Sequence, residues 1–197
     1  MLKRIFDLIL SVIGIVVLFP LYVLIAILIV IDNKGPIIFK QKRVGKNNND
    51  FTLLKFRTML VNSDKSGLLT VGEKDSRITR IGFYLRKYKI DELPQLFNVL
   101  KGEMSFVGPR PEVRKYVSLY SKEQMQVLSI KPGITDYASI KFINESEILG
   151  KSSNPEDDYI KLIMPEKLKL NLDYIHNYGI FSDIEIILTT LKKILFR

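Results

Sequence analysis

A chain of 197 residues has the length of one compact domain with one core, and its 30 lysines and arginines against 21 acids leave a net charge of +9. That surplus points to a polyanionic partner, whether nucleic acid, an anionic membrane surface or a phosphorylated substrate. The lack of cysteine excludes a disulfide framework and a thiolate nucleophile, and a single histidine, His176, excludes a multi-histidine metal site, so any metal takes oxygen ligands and is magnesium or manganese rather than zinc.

From Ile5 to Ile31 the chain reads IFDLILSVIGIVVLFPLYVLIAILIVI, with Asp7 its only charge. The run exceeds the ~20 residues that cross a bilayer as a helix. It is too long for a signal peptide and lacks a small-residue cleavage site, so it is retained. Lys3 and Arg4 precede it while Lys34, Lys40, Lys42 and Arg43 follow, which puts the cytoplasmic mark on both ends. Pro20 lacks the N–H that would bond the Val16 carbonyl, so it kinks the helix. Each half is then roughly 18 to 22 Å long, short of the ~30 Å hydrocarbon core. Two topologies fit: a helix pair bent at Pro20 that enters one leaflet and returns, or an ordinary kinked transmembrane helix. Residues 1–34 form the membrane-anchoring unit in either case, and residues 35–197 the remainder.

After the turn Asp32-Asn33-Lys34-Gly35-Pro36, the run IIFKQ reads as a strand, Val44 to Asp50 as a hairpin-like loop, and FTLLKFRTM as a second strand. Asn62 to Ser76 is polar and glycine-bearing, the composition of a mobile loop. Apolar spacing predicts a helix over Arg77–Tyr88 and another from Asp91 to Lys101, ended near Gly102. A third amphipathic helix is expected over Glu112–Ser129, an irregular stretch from Pro132-Gly133 to about Pro155, and a helix over Lys161–Asn177 despite Pro165. Ser182 to Arg197 closes the chain as an amphipathic helix with Ser182 or Asp183 as its cap, packed on the core or lying in a bilayer interface.

Two stretches carry candidate chemistry. In KIDELPQL, Asp91 and Glu92 follow a basic run of Arg77, Arg80, Arg86, Lys87 and Lys89. Asp91 suits a helix N-cap and acids suit the positive end of a helix. A helix start flanked by cations and near a membrane also suits a diphosphate, and a carboxylate can act as nucleophile at phosphorus when a cation offsets the charge. In MSFVGPRP, Gly108 allows close backbone approach, Pro109 stiffens the loop and Arg110 offers a fork of donors for phosphate oxygens. Either stretch also reads as plain structure, a helix cap in one case and a turn with a solvated arginine in the other.

The order of these pieces resembles the monotopic phosphoglycosyl transferases among the bacterial sugar transferases. A basic start, a proline-broken hydrophobic helix, Lys55-Phe56-Arg57-Thr58-Met59, the block from Asp91-Glu92-Leu93-Pro94-Gln95 to Gly108-Pro109-Arg110-Pro111-Glu112, and Lys131-Pro132-Gly133-Ile134-Thr135 carry the likeness across nearly the whole chain. It implies transfer of a sugar-1-phosphate from a UDP-sugar to polyprenyl phosphate at the cytoplasmic face of a bacterial inner membrane. The implied intermediate is an aspartyl-phosphosugar on Asp91, with Glu92 holding Mg2+. Lys55 and Asp173 match further catalytic positions, and Arg110, Arg86, Gly108 and Pro109 match the phosphate-binding surroundings. Two departures stand out. Phe19 precedes the membrane proline where many members have serine, and Asp136-Tyr137-Ala138-Ser139 replaces a common glycine-tryptophan-alanine-glutamine. The implied fold is α+β, mostly helical and membrane-associated, with a short β-hairpin, an N-terminal re-entrant membrane helix and interfacial amphipathic helices. Membrane lipids then join the two substrates as partners, and nucleic acid is not expected, because a long hydrophobic anchor has no use there. The competing class is a non-catalytic, membrane-anchored basic binding protein.

Overall fold

The computed structural model describes residues 2–63, 69–72 and 75–196. The fold is α+β: helices dominate, and the two small sheets each contain two strands. Helix α1 (Leu2–Val17) and helix α2 (Phe19–Asp32) meet at a 60° bend. Pro20 lies in the first turn of α2, where its missing N–H interrupts the ladder. Leu18 N–H still reaches the Gly14 carbonyl and Tyr22 N–H the Leu18 carbonyl, so helix resumes at once on either side of the break. Among the described residues no single helix is long and apolar enough to cross a membrane.

Both outer ends of this pair are fastened to the rest of the chain. Lys3 donates to the Val107 carbonyl (3.1 Å) and forms an ion pair with Asp183. Arg4 donates to the Val99 carbonyl (2.6 Å), and buried Asp7 accepts from Ser105 Oγ (3.0 Å) and Phe106 N–H (3.1 Å). At the far end Asp32 accepts from Ile81 N–H (3.0 Å), and Arg57 donates to Asn33 Oδ1 (2.7 Å). Between those ends Ile9, Val12, Val16, Phe19, Val23 and Ile27 remain exposed.

Strands β1 (Ile38–Val44) and β2 (Asp50–Phe56) form the expected antiparallel hairpin, with Ile38 opposite Phe56 and Val44 opposite Asp50. Asn47 and Asn48 take the left-handed backbone of the turn (φ 56° and 63°), which asparagine tolerates. The loop expected over Asn62–Ser76 falls partly on 64–68, 73 and 74, outside the described residues. Helix α3 (Arg80–Lys87) starts three residues later than its apolar spacing suggests, because Thr79 Oγ1 accepts from Gly82 N–H as its cap, Ile78 bridges to Met59, and Arg77 is held by Asp75. Helix α4 (Gln95–Lys101) ends at Gly102, whose φ of 89° suits glycine.

Strand β3 (Ser105–Val107) pairs in parallel with β4 (Gly133–Thr135). The long helix expected over Glu112–Ser129 is absent. Only α5 (Arg114–Val117) and a 3-10 turn (Gln124–Ser129) form, because Ser118 Oγ bonds the Lys115 carbonyl, and Ser121 and Gln124 exchange side-chain-to-backbone bonds that compete with a helical ladder. The stretch expected to be irregular instead contains β4, α6 (Tyr137–Lys141) and α7 (Glu145–Gly150).

Helix α8 (Pro155–Asp158) runs through a π-helical turn (Tyr159–Ile163) into α9 (Met164–Asn177). The wider turn comes just before Pro165, which donates no hydrogen bond. Helix α10 (Ile180–Leu195) is preceded by Gly179, whose N–H donates to Ser182 Oγ (2.8 Å); Ser182 therefore closes the first turn from within, and neither it nor Asp183 is the N-cap. The core includes clusters where β3, α9 and α10 meet, at Val107, Tyr174 and Ile186, beneath the π-helical turn, at Val113, Tyr116, Tyr159 and Leu168, between α2, β2 and α3, at Ile25, Ile29, Phe56 and Leu85, and at Leu53, Val99 and Met104.

Candidate active site

Asp91 and Glu92 sit in a 3-10 turn (Ile90–Glu92), not at the start of an α-helix, and neither side chain caps one. The turn closes through Glu92 N–H to the Lys89 carbonyl and Leu93 N–H to the Ile90 carbonyl, both 3.2 Å. Pro94, without an N–H, begins the passage into α4. The two carboxylates are almost fully enclosed, 5 % and 6 % exposed, and both line a cavity of about 1400 Å³.

The neighbours of the two acids differ sharply. Glu92 accepts from Lys55 Nζ (3.1 Å, to Oε1), from Arg110 NH1 (3.1 Å, to Oε2) and from Arg110 NH2 at Oε1. Burial opposes its ionisation, yet the Arg110 guanidinium and Lys55 ammonium outweigh that cost and hold the carboxyl well below the usual carboxylate range. Asp91 lacks such a clamp. Burial pushes its carboxyl up, Lys55 draws it back and the Glu92 charge raises it further, and its Oδ1 is buried without a hydrogen-bond partner. Burial also lowers the Lys55 ammonium, to about 8, against the pull of Glu92.

Arg110 is aimed from both sides. Its backbone N–H donates to Asp136 Oδ2 (3.1 Å), while Asp136 Oδ1 accepts from Ser139 N–H (2.6 Å) and so caps α6. Asp136 is fully buried. On the outer flank, Arg43 donates to the Pro111 carbonyl (3.1 Å) and pairs with Glu112, which accepts from Tyr159 OH (2.9 Å). Gly108 gives its N–H to the Thr135 carbonyl and Pro109 accepts from Gly133 N–H, both at 3.1 Å. The space beside Gly108 and Gly133 is filled by opposing backbone, so neither has room for a Cβ.

The sequence candidates therefore separate. Asp91, Glu92, Lys55, Arg86 and Arg110 converge on the cavity, with Arg86 donating to Thr70 Oγ1 (2.8 Å). Gly108 and Pro109 do not line it; they shape the backbone that presents Arg110. Asp173 is exposed on α9, away from the cavity, and its carbonyl accepts from Asn177 Nδ2 (3.2 Å). The buried acid of that region is Asp183, joined to Lys3 and to Tyr174 OH. Pro20 lies at the bend, as expected. The residue beside this candidate site not foreseen from sequence is Asp136; an aspartate three residues before Ser139 is the spacing of a helix cap, the one signal that marks it.

The donor set suits a hard cation. A carboxylate offers about four lone-pair sites; three of those on Glu92 are used, one remains on Oε2, and Asp91 Oδ1 is free. Among the described residues no group of three or more acids or histidines gathers; Mg2+ is commonly bound by one or two carboxylates with substrate phosphates.

A family model described as bacterial sugar transferase matches residues 1–197. The chain is 38% identical over 197 residues to the UDP-N-acetylgalactosamine-undecaprenyl-phosphate N-acetylgalactosaminephosphotransferase of Aeromonas hydrophila, covering 98% of this chain and 44% of that protein. It is 39% identical over 201 residues to the undecaprenyl-phosphate glucose phosphotransferase of Komagataeibacter xylinus, covering 98% and 36%. Against the uncharacterized sugar transferase EpsL of Bacillus subtilis strain 168 it is 37% identical over 199 residues, covering 98% and 87%. The chain thus spans less than half the length of the first two.

Proposed function

The chain belongs to the bacterial sugar transferase family, and from that premise we propose that it moves a sugar-1-phosphate from a UDP-sugar to polyprenyl phosphate, releasing UMP. The observation that carries the reading is the inequality of the adjacent acids. Glu92 is committed to Lys55 and Arg110, whereas Asp91 presents a buried oxygen with no partner in the same cavity. A nucleophile needs an uncommitted lone pair, and the neighbouring clamp needs the reverse.

The reaction balances in two displacements. An Asp91 carboxylate oxygen attacks the phosphorus that bears the sugar, the bond from that phosphorus to the bridging oxygen breaks, and UMP leaves with the electron pair. A phosphate oxygen of the polyprenyl acceptor then attacks the same phosphorus, and the Asp91 carboxylate departs. Lys55 and Arg110 set positive charge beside the reacting group, fixed in advance by Glu92 and Asp136, so little reorganisation accompanies the change in charge. Glu92 Oε2 is the atom that would hold Mg2+, which when bound supplies charge neutralisation on the diphosphate.

The same reading assigns residues 1–34 to a re-entrant anchor and residues 35–197 to a catalytic unit at the cytoplasmic face of the bacterial inner membrane. What supports the topology is the fastening of both ends of the bent pair to one body, through Lys3, Arg4 and Asp7 at one end and Asp32 and Asn33 at the other. At 16 and 14 residues the two helices are about 24 and 21 Å long, short of the ~30 Å core. Apolar residues of α10 that remain exposed, including Leu188, Leu191 and Leu195, suit contact with the bilayer interface.

The test is UMP release by the purified protein with Mg2+, polyprenyl phosphate and each member of a panel of UDP-sugars. Release with at least one donor is expected, and silence across the panel would count against the activity. Cysteines placed at Lys3 and Gly35 should both resist a periplasmic label, whereas labelling of one end alone would mean a true crossing.

A further inference from the structure

The backbone of Lys89 lies in the left-handed region, φ 55° and ψ 17°. The other non-glycine residues with positive φ among those described are all asparagines, Asn47, Asn48 and Asn62. Asparagine visits this region readily, whereas lysine gains nothing from it locally and is strained there. That conformation turns the chain out of α3 and into the acid turn, where the Lys89 carbonyl accepts from Glu92 N–H. It also brings the side chain to the wall of the same cavity as Asp91 and Glu92.

The cations around the acid pair are otherwise committed. Lys55 and Arg110 hold Glu92, Arg43 holds Glu112 and the Pro111 carbonyl, and Arg86 donates to Thr70. The Lys89 ammonium has no such acceptor among the described residues, although it feels the charges of both Glu92 and Asp91. An ammonium at the cavity wall with no acceptor of its own is open to an arriving anion, with which it forms a charge-assisted hydrogen bond.

Resting on the activity proposed above, we propose that Lys89 is a substrate-binding residue of the phosphoryl-transfer site, its ammonium taking an oxygen of a substrate phosphate group. The donor diphosphate and the acceptor phosphate share that chemistry, and the two displacements separate them. Lys89→Gly is the informative variant, because glycine adopts this φ without strain, so the charge goes while the turn keeps its preferred backbone. Lys89→Arg keeps the charge, and Lys89→Met keeps much of the length.

Full-length protein in detergent or nanodiscs is given UDP-sugar and Mg2+ alone, and the appearance of the phosphosugar adduct is timed by intact mass. Polyprenyl phosphate is then added and its disappearance timed. Lys89→Gly should unfold at or above the wild-type temperature and lose ~10- to 100-fold in one of the two steps, the range for a lost charge-assisted hydrogen bond. Lys89→Met should lose a similar factor, and Lys89→Arg should stay within about threefold of wild type. Slow loading with raised donor KM assigns the contact to the donor diphosphate; a defect confined to discharge assigns it to the acceptor phosphate. Wild-type rates in both steps for Lys89→Gly would overturn the proposal, as would a Lys89→Arg variant as impaired as Lys89→Gly, which would make the position one of shape and not of charge. Wild-type protein that neither loads nor releases UMP would sink the activity itself, and the role of Lys89 with it.

Discussion

Removing Arg110 tests how far the acid pair depends on its clamp. The guanidinium supplies two of the three hydrogen bonds to Glu92, and Lys55 supplies the third. Arg110→Met therefore leaves a carboxylate only 6 % exposed with one cation at one oxygen. Breaking a buried pair from one side typically costs ~3–5 kcal/mol. The lower figure applies here, because the Arg110 side chain is 27% exposed and partly screened. At ~2–4 °C per kcal/mol for a chain of this size, ~3 kcal/mol lowers the unfolding temperature by roughly 6–12 °C. Glu92→Gln should cost a comparable amount, since it strands Arg110 and Lys55, and the double variant should lose less than the sum by ~1–3 kcal/mol. Thermal unfolding of the four proteins in one detergent measures the cycle. Additivity within ~0.5 kcal/mol, or an Arg110→Met variant as stable as wild type, would refute the reasoning.

Gly133→Ala places a Cβ against the Gly108 backbone, where strands β3 and β4 pass too closely to part; it should lower the unfolding temperature by more than 5 °C on the scale of ~2–4 °C per kcal/mol, and a neutral result in a melting curve would contradict the packing. Asp136→Ala should cost ~1–3 kcal/mol for the two backbone N–H groups it leaves unpaired and should lower UMP release through misplacement of Arg110; unchanged turnover would remove Asp136 from the site. Lys55 yields a pH effect. Its folded value, about 8, lies below the ordinary lysine value of 10.5, so the unfolded chain binds more protons across that interval and stability rises with pH from about 8 to 10.5. In metal-free buffer the difference in stability between wild type and Lys55→Met should grow in favour of wild type over that window; a flat difference would contradict the burial of a charged Lys55.

Much of this arrangement is legible in the residues. The β1–β2 hairpin, the bend near Pro20 and the Gly102 stop follow from periodicity and turn chemistry, while the convergence of Asp91, Glu92, Lys55, Arg86 and Arg110 is implied by the family resemblance alone. What the residues conceal is pairing at a distance. Nothing local in Asp136 says that it faces Arg110, 26 positions away, and nothing in Asp183 says that it joins Lys3. Asp173 sits in a helical pattern that fits either face until α9 is packed through Leu168, Asn171 and Tyr174, which turns it to solvent. The helix over Glu112–Ser129 fails for a local reason: Ser118, Ser121 and Gln124 offer the backbone other partners, and spacing of apolar residues alone does not register that competition.

In the proposed reaction Asp91, not its neighbour, takes the sugar phosphate. The most direct measurement is the intact mass of full-length protein after incubation with Mg2+ and a competent UDP-sugar in the absence of any acceptor. The account predicts a gain equal to one sugar phosphate, located on the peptide that contains Asp91 and absent from a folded Asp91→Asn variant. UMP release without any adduct, or an adduct that persists when Asp91 is replaced, would contradict it.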